Sequence, residues 1–344
     1  MDNPVRNVTL GLLQGTLPTA EAMELAVWSL MEGQSDEVTT SAFLTALACR
    51  GETTEELAGA AKAMYARASK IPTKASGVLD TCGTGGDGLK TFNISTAVAI
   101  AVAACGVPVA KHGNRSVSSS SGSADVLEAM GVNLQLTPEQ VASCVDEIGI
   151  GFCFAPLFHQ AMKHVAPVRK ALGFRTIFNL LGPLTNPAGA SFQLIGTGRD
   201  ELADKMAGAL AILNRPKTRC FVVCGNNELD EVALWGKTSV YEVMDGKIQR
   251  HQWTAANFGL DECRAEELVV EGPAESAQVI RDVFDGKAGA ARRMVLANGA
   301  AALFLAGKSV SLKEGVTMLE DAITQRLVVQ KLQQLVTATE RYTR

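Results

Sequence analysis

Asp80-Thr81-Cys82-Gly83-Thr84-Gly85-Gly86-Asp87-Gly88-Leu89-Lys90-Thr91-Phe92-Asn93-Ile94-Ser95-Thr96 is the stretch that decides the fold. It follows the apolar pair Val78-Leu79 and leads into an Ala/Val-rich helical pattern from Ser95 to Ala104, so it reads as strand, turn and helix. Gly83, Gly85, Gly86 and Gly88 let the turn take positive φ and come close to a ligand. Free N–H groups at the start of the following helix make an anion site, most often for a phosphate. A purely structural turn needs fewer glycines.

Working outward, short apolar runs alternate with helical segments: Val107-Pro108-Val109-Ala110, Ile150 to Ala155, Gln193 to Gly196 and Cys220 to Cys224, with a further helix over Ser123 to Met130. That alternation predicts a mostly parallel sheet with helices on both faces. Tyr241 to Ile248 predicts a hairpin turning at Asp245-Gly246. Residues 1 to about 72 follow the helical period instead. Thr16 or Thr19 caps one helix, Asp36 or Thr39 opens a second that Gly51 ends, and Thr53-Thr54-Glu55-Glu56 starts a third. Pro72 marks the boundary, and Ala288 to Leu335 is helical again. The fold class is therefore α/β: a small N-terminal helical domain (1–72) and a larger α/β domain (73–344).

The chain has 344 residues, 47% hydrophobic and 20% charged, with a formal net charge of −4. A mildly acidic protein is poorly suited to nucleic acid or a membrane surface, and neither is expected as a partner. The longest apolar run, Ala97 to Ala110, is broken by Gly106 and Pro108 and is too short to span a bilayer. Eight scattered cysteines without a Cys-x-x-Cys pair, and without a preceding signal peptide, predict reduced thiols in a cytoplasmic protein. A zinc site at Cys220 and Cys224 lacks a second ligand pair.

Gly83, Gly85 and Gly88 match the dinucleotide fingerprint G-x-G-x-x-G. That reading needs an acidic residue at the end of the next strand, where this chain has Lys111-His112-Gly113-Asn114-Arg115. Cations there suit phosphate rather than a ribose diol. A P-loop is excluded because no Gly-Lys-Ser/Thr follows. After Arg115 comes a row of hydroxyls, Ser116, Ser118, Ser119, Ser120, Ser121 and Ser123, which can bind phosphate oxygens or form a polar linker. Asp230-Glu231, after the strand at Cys220 to Cys224, suits Mg²⁺, which takes oxygen ligands and bridges phosphates. Arg169, two residues after Pro167, can offer a guanidinium fork to a carboxylate. His159 and His164 are candidate ligands or bases, or structural histidines.

Together these blocks, with Asn93-Ile94-Ser95-Thr96, Asn179-Leu180-Leu181-Gly182-Pro183-Leu184-Thr185-Asn186-Pro187 and Asn298-Gly299-Ala300-Ala301-Ala302-Leu303, resemble the anthranilate phosphoribosyltransferases over nearly the whole chain. The resemblance implies a fold similar to the pyrimidine nucleoside phosphorylases, part of 165–190 joining the helical domain, and a homodimer formed through that domain. It implies transfer of a phosphoribosyl group from 5-phosphoribosyl 1-diphosphate to anthranilate in tryptophan biosynthesis. The diphosphate substrate would lie on Gly83, Gly86, Asp87, Thr91, Asn93, Ile94, Ser95, Thr96, Lys111, His112, Gly113, Asn114, Arg115, Ser116, Val117, Ser118, Ser119 and Ser123. Anthranilate would meet Gly83, Asn114 and Arg169, and Mg²⁺ would be held by Ser95, Asp230 and Glu231. No acid–base residue is implied. Ser120, Gln160, Cys224 and Glu228 depart from the usual pattern without removing any of these residues. The nearest enzyme alternative is a nucleoside phosphorylase, which would need no magnesium pair. A nucleic-acid-binding relative would need a positive face.

Overall fold

The apolar runs become strands of one sheet in a computed structural model that describes residues 3–116 and 121–343. The strands are β1 (Leu79–Gly83), β2 (Val109–Gly113), β3 (Ile150–Phe154), β4 (Phe192–Gly196), β5 (Arg219–Gly225), β6 (Thr238–Met244) and β7 (Lys247–Trp253). Their order is β3-β2-β1-β4-β5-β6-β7. The first five are parallel, and β6 and β7 are antiparallel. The chain builds outward from β1 in one direction and then returns to place β4 on its other side. Such a reversal opens a crevice beyond the carboxyl ends of the strands. Gly83 of β1 lies in register with Gly196 of β4 at this point.

The sheet faces explain the apolar runs. The helix Ile94–Ala104 has nine buried residues, Ala97 to Ala103 among them. A helix apolar all round must be covered all round, and it is packed between β1 and the C-terminal helices Ala290–Leu305, Leu312–Thr324 and Leu327–Glu340. The helical C-terminal region is thus made of three helices. Gly307 (φ 68°) and Arg326 (φ 58°) stand at its breaks. At the far margin, Asp245 (φ 51°) and Gly246 (φ 70°) form the expected two-residue hairpin turn. Strand β7 is exposed except at Trp253 and carries Lys247, Arg250 and His251.

The helical body begins one helix earlier than expected. Pro4–Leu13 is capped by Asn3, which accepts from the Arg6 N–H at 3.1 Å. Pro4 reads as a breaker in isolation, but the first helical turn has no need of its missing N–H. Ala20–Met31 is capped by Thr19, Glu37–Arg50 by Asp36, and Thr54–Ala66 by a reciprocal pair between Thr53 and Glu56. Their apolar faces form a second core with Val165, Val168, Ile177, Phe178 and Leu181, and with Ile195, Cys220 and Val222 on the sheet. Each fully buried Val, Leu or Ile in such a core contributes about 1.5–3 kcal/mol. Among the described residues, no helix is long and apolar enough to cross a membrane.

Candidate active site

A cavity of about 610 Å³ lies where the turns after β1, β2 and β5 meet the segment 155–183. One wall is backbone. Gly85 (φ 63°), Gly86 (φ 70°) and Gly88 (φ 83°) all take the left-handed region. Gly83 has an ordinary backbone, but a Cβ there would strike the Asp230 carboxylate. The Arg175 guanidinium donates to the carbonyls of Thr84 (3.0 Å), Gly85 (2.8 Å) and Gly86 (3.2 Å). The Gly85 N–H donates to Asp230 Oδ2 at 2.7 Å. The amides of Gly86, Asp87 and Gly88 donate to no other described residue.

Thr91 and Ile94 line the cavity, as do Asn93 and Ser95 at the start of the following helix. Asn93 is fixed from two sides: its Oδ1 accepts from Ser121 Oγ (2.8 Å) and Ser276 Oγ (2.9 Å). Thr96 departs from the expected set. The helical turn carries its side chain into the core, where its hydroxyl has no described partner, and it does not line the cavity. From β2, Lys111 is almost fully buried and donates to the Thr81 carbonyl and to Ser95 Oγ (3.2 Å). Gly113, Asn114, Ser116 and Ser123 also line the cavity, and a Cβ on Gly113 would strike Ser123 Oγ. Arg115 reaches the cavity, yet its guanidinium is engaged by Asp125 (2.9 Å) and Glu128 (2.5 and 2.6 Å). Its charge is balanced there, unlike that of Lys111. Val117, Ser118 and Ser119, with the departure at Ser120, lie outside the described residues.

Asp230 and Glu231 sit on the turn after β5, shaped by consecutive left-handed residues Asn226 (φ 48°) and Asn227 (φ 56°). Burial, then the nearby Asp87 charge, raises the Asp230 carboxyl well above its usual range; the Gly85 N–H and Arg175 act the other way. Burial and then Asp230 raise Glu231, against Lys111 and a hydrogen bond from the Ser95 backbone. The adjacent carboxyl groups of Asp230 and Glu231, both lining the cavity, are oxygen donors that fit a hard cation. Among the described residues, no three His, Cys, Asp or Glu side chains form an enclosing metal cage. Magnesium is commonly held by one or two carboxylates while substrate phosphates and water supply the rest.

The opposite wall is made of side chains from 155–183. Arg169 donates through Nη2 to Asn179 Oδ1 (3.2 Å) and lies over the Phe178 ring at 5.6 Å. His159 and His112 meet Nε2 to Nε2 at 3.2 Å, and His112 Nδ1 is 3.0 Å from the Gly182 carbonyl. Burial pushes both imidazoles below their ordinary value. The short contact therefore joins a neutral donor to a neutral acceptor, and with Nδ1 of His112 donating to the carbonyl, Nε2 of His159 is the donor of the pair. Asn179 belongs to a sequence motif that assigns it no role, and Arg175 stands four residues before it. The partners of Arg175 lie up to 91 residues away, whereas those of Asn179 are local, and only the Arg-Thr-x-x-Asn spacing hints at either.

Residues 75–325 match the α/β-domain model of a glycosyl transferase family, and residues 9–68 match its helical bundle domain. Anthranilate phosphoribosyltransferase of Acetivibrio thermocellus is 45% identical over 332 residues, covering 96% of this chain and 95% of the relative. That of Desulfosudis oleivorans is 47% identical over 321 residues, covering 93% and 94%. Among solved structures, the Thermus thermophilus enzyme superposes with a TM-score of 0.90 at 40% identity, covering 98% of this chain and all of that one (100%). The Saccharomyces cerevisiae enzyme, in complex with PRPP and Mg, superposes with a TM-score of 0.89 at 28% identity, each chain 99% covered.

Proposed function

The chain belongs to the anthranilate phosphoribosyltransferase family, and from that premise we propose how its own residues carry the reaction. The enzyme transfers the phosphoribosyl group of 5-phosphoribosyl 1-diphosphate to the amine of anthranilate, releasing pyrophosphate, a step of tryptophan biosynthesis. The observation that carries the assignment of roles is the convergence of the Gly83–Gly88 turn, Lys111 and the Asp230–Glu231 turn on one cavity.

The bond from ribose C1 to the diphosphate oxygen breaks, and a bond from C1 to the amine nitrogen forms. Negative charge grows on the leaving diphosphate, where backbone amides of the glycine turn and the buried Lys111 ammonium stabilise it. These donors are already fixed, so they need no reorganisation during the reaction. Magnesium, bound by Asp230 and Glu231 beside Ser95, would neutralise part of the diphosphate charge. The yeast relative was solved with PRPP and Mg. An aromatic amine is neutral near pH 7, so positioning rather than a strong base governs its attack. Arg169, held by Asn179, orients anthranilate through its carboxylate. Asn114 and Gly83 complete the acceptor side.

The helical body, residues 1–72 with part of 165–190, also serves to pair two copies of a cytoplasmic enzyme. Leu10, Leu13, Leu25 and Trp28 on its helices expose apolar surface that supports this reading. The direct assay is loss of anthranilate fluorescence on adding 5-phosphoribosyl 1-diphosphate with Mg²⁺. Unchanged fluorescence, or phosphorolysis of thymidine or uridine instead, would reject the assignment.

A further inference from the structure

We propose that Arg175 is a positioning residue that aims the amides of the glycine-rich turn at the diphosphate, and that Asn179 ties this grip to Arg169 on the acceptor side. The geometry of the peptide unit carries the argument. In a trans peptide the carbonyl of one residue and the N–H of the next point in opposite directions. Arg175 holds the carbonyls of Thr84, Gly85 and Gly86. The amides of Gly85, Gly86 and Asp87 must therefore face away from it. The Gly85 amide points at Asp230, 2.7 Å from Oδ2, and the other two are without an acceptor among the described residues. The turn is thus set with its donors toward the metal side before any ligand arrives.

Glycines at φ 63° and 70° have the widest conformational freedom of any residues, so this orientation needs an external restraint. A guanidinium is suited to supply it, since its rigid fork carries five donors, whereas an ammonium is a point charge on a flexible stem. Arg175 comes from the opposite wall, between the helices Ala166–Leu172 and Phe178–Leu181. The neighbouring Thr176 N–H donates to Asn179 Oδ1 at 3.0 Å, and that same oxygen accepts from Arg169 at 3.2 Å. One amide oxygen therefore links the guanidinium assigned to anthranilate with the stem of the one that holds the diphosphate turn. The two walls therefore meet at Asn179.

The inference rests on the phosphoribosyltransferase reading, and its test has one arm that does not. In the full-length, ligand-free protein, hydrogen exchange is followed in a peptide spanning 83–89, where the amides of Thr84, Gly85 and Leu89 are bonded. Arg175→Ala is expected to speed their exchange about 10-fold, whereas Lys170→Ala, which removes a cation from the same segment, leaves it unchanged. The same variant is expected to weaken binding of pyrophosphate with Mg²⁺ about 10-fold and to raise the KM for the diphosphate substrate more than that for anthranilate. Arg175→Lys restores charge without the fork and recovers only part of the loss. It also serves as the test variant should Arg175→Ala fail to fold. Exchange and pyrophosphate affinity within about 2-fold of wild type in a folded variant would overturn the proposal. A wild-type protein that leaves anthranilate unconsumed would instead reject the functional reading, while the exchange result would still decide the role of Arg175.

Discussion

The two walls of the cavity are built on opposite principles. The diphosphate wall is backbone: turns at the ends of β1, β2 and β5, within one sheet, present amides and a few buried charges. The acceptor wall is side chain: Arg169, Asn179 and His159 stand on short helical turns of 155–183, Arg169 bonded to Asn179 and His159 to His112. A sheet fixes its strand ends to within the register of the ladder, so the first wall is preorganised by the fold. The second depends on a small network of polar contacts. The difference teaches where damage should spread. Losses on the diphosphate wall should fall on chemistry and metal dependence, and losses on the acceptor wall should fall on one substrate.

The largest expected effect comes from Asp230→Asn. It removes a carboxylate that also accepts from Gly85, and should lower kcat/KM about 100-fold while moving Mg²⁺ activation to higher concentration. An unchanged metal titration would break the assignment. Next, Arg169→Ala should raise the anthranilate KM about 10-fold with little change in that for the diphosphate. Equal effects on both would erase the contrast between the walls.

The histidine pair sharpens the comparison through pH. Because burial depresses both imidazoles, the folded chain binds fewer protons than the unfolded chain once pH falls below about 6.5. Their contribution to stability is intact above that pH and is lost below it, by up to about 1.4 kcal/mol per pH unit for each imidazole. Melting of His159→Gln from pH 7 to 5 should therefore show a shallower loss than wild type. The raised carboxyls of Asp230 and Glu231 act in the opposite sense in both proteins, so the difference between the two curves isolates the histidine. Parallel curves would contradict the buried neutral pair. The smallest effect should come from Arg115→Ala. Its ion pairs with Asp125 and Glu128 are exposed, so melting should move by no more than about 2 °C and the diphosphate KM should hardly change.

The backbone wall was the legible one. Gly83 to Gly88, Lys111 to Asn114 and Asp230-Glu231 announce themselves because turn glycines, strand-end cations and paired carboxylates are local patterns. What they do to each other is not local. The Gly85–Asp230 bond spans 145 residues and the Arg175 grip about 90, and no periodicity encodes either. The same limit explains Thr96 and Arg115. Thr96 belongs to a binding segment by sequence but is turned into the core by the helical repeat. Arg115 reads as a free cation until Asp125 and Glu128, one and two turns along the next helix, are seen to hold it. The helical body was legible through its caps at Thr19, Asp36 and Thr53, and Pro4–Leu13 was missed where the opening signal was a proline.

The outer strand β7 has one further consequence. A bare strand margin is a template on which another copy can stack, and positive side chains along it are a common guard. Lys247 and Arg250 line this margin, with Arg250 anchored to Asp204 at 2.6 Å. A second chain adding to β7 would have to bury or displace these charges, so edge-to-edge growth from this side of the molecule is opposed.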